Sequence, residues 1–192
     1  MTIDRRIDDA EFLWRAGRHE GALLSALVAF AATSRRVRPK QQEKYDAVAF
    51  KKLFQEQLPS GWSVTFRGEL TSMDVLFYKW LRCELVHAGG LPIGLSFDPT
   101  DESGIFTMAL RDDLPIAVST AWYHSLVLSV IGHPINADIF PNQEERVAAA
   151  IERHRATGQR LIGMSCGNAE GHAHALQNET AIEINFSKND CN

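Results

Sequence analysis

The stretch HEGALLSALVAFAATSRR, residues 19 to 36, constrains the fold of this chain more than any other. Its spacing is helical, yet it is apolar nearly all round rather than along one stripe. A surface helix keeps a polar face, so a helix of this kind must be enclosed by several others. The chain is therefore expected to be mainly α, with this segment near its centre. The longest apolar run, Ala22 to Ala32, holds 11 residues, far fewer than the roughly 20 that span a bilayer. With no basic, apolar leader at the start, the expectation is a cytoplasmic protein with no membrane partner.

Other segments supply the enclosing helices. Ile3, Ile7, Ala10, Phe12, Leu13, Trp14 and Ala16 recur near helical period before Gly17, predicting a first helix. Tyr45, Val48, Ala49, Leu53, Phe54 and Leu58 mark a third, ended by Pro59-Ser60-Gly61, and the extended piece WSVTF follows. Thr71 with Asp74 resembles a capping box. It would open a fourth helix whose stripe runs through Met73, Leu76, Phe77, Trp80, Leu81 and Leu85 to the stop at Gly89, Gly90 and Pro92. PIGLSF and IFTMALR then flank the turn formers DPTDESG, which predicts a β-hairpin near residues 92–111. A fifth helix through Val118, Trp122, Leu126 and Val130, and a weaker one over Gln143 to Ala156, complete the helical set. Residues 1–140 are thus expected to form a helical bundle with a small β-hairpin insertion. Residues 141–192 carry the last helix and a partly irregular C-terminal tail, in which RLIGMS and AIEINF are candidate strands.

At 192 residues, 45% hydrophobic and 23% charged, the chain can bury a core without disulfides or metal. Cys83, Cys166 and Cys191 are odd in number and widely separated, so reduced thiols are expected. The net charge of −4 argues against coating nucleic acid by bulk electrostatics, but the sign is uneven. Residues 1–90 carry 14 Lys/Arg against 11 Asp/Glu, and residues 91–192 carry 6 against 13. The basic excess lies between Arg35 and Lys52. Arg35, Arg36, Arg38 and Lys40 are either a solvated face or contacts for an RNA backbone.

LRCELVHAGG, residues 81 to 90, carries the clearest candidate chemistry. With 14 arginines and 7 histidines in the chain, an arginine five positions before a histidine is expected by chance about half a time, so context has to carry the pair. Five residues of an α-helix leave two side chains about 140° apart unless the helix end unwinds. In the structural alternative Arg82 lies beside Glu84 and Asp74, while His87 favours the last carbonyls of its helix. In the functional one, a proton-transfer group with a pKa near neutrality works with a fixed cation that holds phosphate. Those are the requirements of metal-free RNA cleavage, in which a 2′-hydroxyl attacks the adjacent phosphate.

AEFLWRAGRHEGALLSALVAFAATSR followed by FYKWLRCELVHAGG resembles the HEPN domains, antiparallel helical bundles in which an arginine and, four to six residues later, a histidine sit near the end of a late helix. Gly17, Arg18 and Ala22 match the turn of that family's opening helical hairpin, and the likeness spans about residues 3–130. Many HEPN proteins are metal-independent endoribonucleases that face two motifs into one cleft of a homodimer, often as toxins or in defence. The resemblance implies that Arg82 contacts the scissile phosphate and His87 moves the proton, with no cofactor and no metal. Active members usually carry a polar residue, often asparagine or aspartate, directly after the arginine; Cys83 stands there, and by the resemblance Glu84, one position later, would take its place. The resemblance also implies RNA as partner and an antitoxin or other protein partner. Other HEPN domains bind RNA, nucleotides or proteins without cutting, and that reading stands beside the first.

Remaining candidates are weaker. Cys166, His172 and His174 in the tail fit no familiar metal spacing. His124 beside the fifth stripe reads as a packing residue, His133 before Pro134 as a helix exit. Trp14, Trp80 and Trp122 fall on three helical stripes and point to a shared core.

Overall fold

The computed structural model describes residues 2–98, 108–109 and 116–156. Six helices carry the described residues: α1 (Ile3–Arg15), α2 (His19–Val37), α3 (Asp46–Gln57), α4, α5 (Thr120–Ile131) and α6 (Gln143–Ala156). Helix α4 is continuous from Met73 to His87 in three parts. An α-helical start (Met73–Val75) leads into a π-helical stretch (Leu76–Cys83) and an α-helical end (Glu84–His87).

Helix α2 packs against α1, α3 and α5, which explains its apolar circumference. Ala22, Ala26 and Ala29 are fully buried beside Leu23, Leu27 and Phe30. Small residues on several faces let neighbouring helices approach closely, while the large ones fill the gaps between them. Helix α5 is enclosed as thoroughly, with ten of its twelve residues buried. The centre of the core lies between the two, where Phe30, Phe50, Phe54, Phe77 and Trp122 meet with ring centroids 4.8 to 6.3 Å apart.

Of the three tryptophans expected to share a core, Trp122 is fully buried in it, while Trp14 and Trp80 pack against it from its edge. Trp14 is half-buried and stacks on Tyr123 at 4.1 Å, with planes 4° apart and the rings of His19, Phe97 and His124 at its edges. Trp80 is half-buried beneath Arg67 and Lys79, whose charges lie 4.7 and 4.4 Å from its ring centre. Helical stripes specify which face is apolar, not how deep it sits.

The strands differ most from expectation. An antiparallel hairpin does form, but at β1 (Ser63–Phe66) and β2 (Glu69–Ser72), turning through Arg67 and Gly68. Both turn residues have positive φ, 54° and 80°. This is the demand of a two-residue hairpin turn, met easily by glycine and unusually by arginine. The hairpin expected near residues 92–111 is replaced by a mixed sheet. There β3 (Leu95–Asp98) and β4 (Met108–Ala109) each pair with β5 (Ile116–Ser119), parallel and antiparallel respectively, and not with each other. Residues 116–119 were expected in the fifth helix; instead β-branched Ile116 and Val118 turn inward from a strand, and the helix starts at Thr120. The expected turn over residues 99–107 and the tail beyond residue 156 lie outside the described residues.

The capping box is also replaced. Thr71 belongs to β2 and its hydroxyl donates to the Glu69 carbonyl. Asp74, 4% exposed, accepts a 3.0 Å hydrogen bond from Gln55 Nε2 and so ties the start of α4 to α3. Among the described residues no helix is long and apolar enough to cross a membrane.

Candidate functional site

The sequence LFYKWL, residues 76 to 81, crowds five bulky side chains into six positions. A regular α-helix would spread them around its circumference. The π-helical stretch, repeating every five residues instead of four, places Leu76 and Leu81 in register. Both are fully buried with Phe77, while Tyr78 and Trp80 are left half-buried at the edges of that face. Such wide turns are rare and are found most often at functional sites.

Arg82 emerges from this stretch. Its guanidinium lies over the ring of Tyr78, 5.4 Å from the ring centre, and Tyr78 is itself held against the fully buried Phe50 at 5.3 Å. Arg82 is half-buried, and its Nε is shielded from solvent with no hydrogen-bond partner. No carboxylate among the described residues pairs with it. Burial pushes the Tyr78 phenol above its ordinary value against the opposing pull of Arg82, so the hydroxyl keeps its proton, and remains a donor, throughout the neutral range.

The position of Arg82 differs from the structural alternative drawn from sequence, since it faces Tyr78 and not Asp74, which is engaged by Gln55. Glu84 and Cys83 are half-buried on the same helix, and Cys83 is a free thiol. His87 is solvent-exposed, one residue before the helix gives way. Gly89, at φ 75°, then turns the chain in a way that a side chain would resist. The wide stretch ends at Cys83, so only the first step from Arg82 toward His87 lies within it. The separation of about 140° expected of an α-helix therefore largely persists. One chain does not bring Arg82 and His87 together.

The basic segment is organised otherwise. Arg35 pairs with Asp46 and donates to the carbonyls of Arg38, Glu43 and Lys44. Arg38 pairs with Glu56. Arg36 donates to both carboxylate oxygens of Asp138 at 2.8 and 2.9 Å. These three arginines fasten α2 to α3 and to the turn before α6, and their charge is largely neutralised within the fold. Lys40 is exposed in the connecting loop. At that turn, the amide of fully buried Asn136 donates to Thr33 Oγ1 at 3.0 Å and to the Val130 carbonyl at 2.9 Å.

His133 accepts the Ile135 backbone N–H at Nδ1, 3.2 Å away, and caps the short turn Pro134–Asn136. Burial lowers its pKa, opposed by Glu56. His124 is half-buried against Trp14 and Tyr123. Both therefore have structural surroundings. Among the described residues no group of three or more His, Cys, Asp or Glu side chains converges as metal ligands; Cys166, His172 and His174 lie outside those residues. Tyr78 is the site residue that sequence reasoning passed over. Its signal was present, as an aromatic residue one turn before Arg82 is in position to meet it.

No family model matches the chain, and comparison with curated proteins and with solved structures returns no match.

Proposed function

We propose that the protein is a metal-independent endoribonuclease of HEPN-like organisation, acting as a homodimer in a toxin or defence system. One observation carries this reading: Arg82 is an oriented guanidinium with no carboxylate partner among the described residues, and the same helix ends one turn later in the exposed imidazole of His87. A cation with no acidic partner among the described residues suits an external anion, and an exposed imidazole is a group that can move a proton. In the reaction the 2′-oxygen bonds to phosphorus and gives up its proton, and the 5′-oxygen leaves and takes one. The products are a 2′,3′-cyclic phosphate and a 5′-hydroxyl end. Each chain supplies one histidine, whereas a two-fold pair supplies two, one for each proton. Arg82 would steady the charge that develops on the phosphate. Val86, beside His87, is exposed and apolar, which suits burial of this helix end against a second copy.

The test is direct. Purified protein should cleave single-stranded RNA in the presence of chelator, leave cyclic-phosphate ends, and lose the activity on His87→Ala. Light scattering should give a dimer. Cleavage that survives His87→Ala overturns the assignment.

A non-catalytic binding module is the second reading, and the separation of Arg82 from His87 around the helix favours it. It predicts RNA, nucleotide or protein binding that depends on Arg82, with no cleavage in any oligomeric state.

A further inference from the structure

We infer that Tyr78 and Arg82 together form a two-donor cradle for a backbone phosphate of a nucleic acid, with Tyr78 contributing its hydroxyl as well as the face on which the guanidinium rests. The inference deepens the proposed role of Arg82 and rests on it for the choice of a nucleic-acid phosphate as ligand.

Three observations converge. Arg82 Nε is shielded from solvent and unbonded, a costly condition for a donor carrying charge and one that calls for an explanation. A ligand oxygen cannot reach the shielded Nε and would meet the guanidinium at its outer nitrogens, with Nε reporting the change from behind. Second, the ring beneath it is fixed: Tyr78 is packed on Phe50, which is fully buried, so Arg82 is held by a rigid platform instead of waving from a surface helix. Third, no hydrogen bond among the described residues engages the Tyr78 hydroxyl, and its neighbours suit an anion. Arg82, Cys83, Asp46 and Arg35 bear on the phenol. Of these, Asp46 is already neutralised by Arg35, leaving Arg82 as the charge with no ionic partner among the described residues. A phosphate oxygen can accept from the guanidinium and from the phenol at once, and charge-assisted bonds of this kind are the stronger class.

The contrast with the other arginines sharpens the assignment. Arg35, Arg36 and Arg38 each hold a carboxylate of this chain, and among the described residues Arg82 holds only a ring.

The side-chain Nε–H resonance of Arg82, assigned by its loss in Arg82→Ala, gives the readout in full-length protein. It should shift on titration with inorganic phosphate and, at lower concentration, with a short single-stranded DNA oligonucleotide, whose backbone lacks the 2′-hydroxyl and so resists cleavage. Tyr78→Phe keeps the ring and removes the hydroxyl. It should retain the wild-type backbone amide spectrum and weaken both ligands about tenfold. Affinity within twofold of wild type in Tyr78→Phe overturns the role of the hydroxyl. Shifts confined to other arginines overturn the cradle. A response to inorganic phosphate with none to the oligonucleotide overturns the assignment to a nucleic-acid backbone. None of these outcomes reads cleavage, so failure of the nuclease reading, seen in the His87→Ala assay, is distinguishable from failure of the cradle.

Discussion

The arginines at the end of α2 and the single arginine near the end of α4 occupy opposite electrostatic conditions. Arg35, Arg36 and Arg38 are each matched to a carboxylate on another part of the chain. Arg82 is matched to an aromatic ring and, among the described residues, to no carboxylate. By residue count, the first group is the obvious place for an anion. By partner, it is the second. Whether a cation serves the fold or a ligand is decided by what already stands beside it.

This comparison can be broken most decisively at Arg82. Arg82→Ala should reduce RNA cleavage about a hundredfold or more and leave the midpoint of urea unfolding close to wild type. A large fall in stability with little change in cleavage would make Arg82 another fold-holding arginine. The second effect belongs to the opposite region. Asn136→Ala deprives Thr33 and Val130 of a buried donor and should cost about 1–3 kcal/mol in urea unfolding, with RNA affinity unchanged. Smaller again is Arg36→Ala. Its pair with Asp138 is 30% and 67% exposed, so about 0.2–1 kcal/mol is expected, fading as salt is raised. Persistent, salt-independent loss would show the pair to be more than an exposed clasp.

The smallest effect is in pH. The pKa of His133 is lowered in the folded chain from its ordinary value of 6.5, so the unfolded chain takes up the proton first as pH falls. This site's contribution to stability is complete above pH 6.5. It declines as pH drops through 6.5 toward the folded value. His133→Asn can still accept the Ile135 N–H, and it should flatten that part of the stability profile. An unchanged slope would remove His133 as its source.

Much of the helical framework was legible because burial writes a period into the sequence. Helices α1 to α3 and α6 fall close to their apolar stripes, and the all-round apolarity of α2 correctly marked it as enclosed. Pairing was less legible, for a physical reason. Strand β5 lies between β3, 21 positions earlier, and β4, 8 to 10 positions earlier, and four residues, Ile116–Ser119, are too few for their alternation to stand out from the helical spacing that follows. The β1–β2 turn was hidden by Arg67, which stands where asparagine or glycine is usual. At the candidate site the arginine and the histidine were visible as letters, but the partners of the basic segment were not. Asp46, Glu56 and Asp138 lie 11, 18 and 102 positions from the arginines they hold. The tyrosine under Arg82 was close in sequence, yet stacking depends on the path of the helix, and that path departs from the regular one.

That departure makes α4 a helix with a length reserve. Its wide turns between Leu76 and Cys83 hold one residue per repeat more than the segments on either side. The start is anchored to α3 through Asp74 and Gln55, and the far end carries His87. Deleting the exposed Lys79 would draw on that reserve and would carry buried Leu81 and Leu85 round together with both candidate groups. The helix would then turn its last residues to a new bearing, like a dial advanced by one notch. The angular setting of Arg82 and His87 is thus encoded in a residue count, and a change of one letter in length there has more effect on it than many changes of identity.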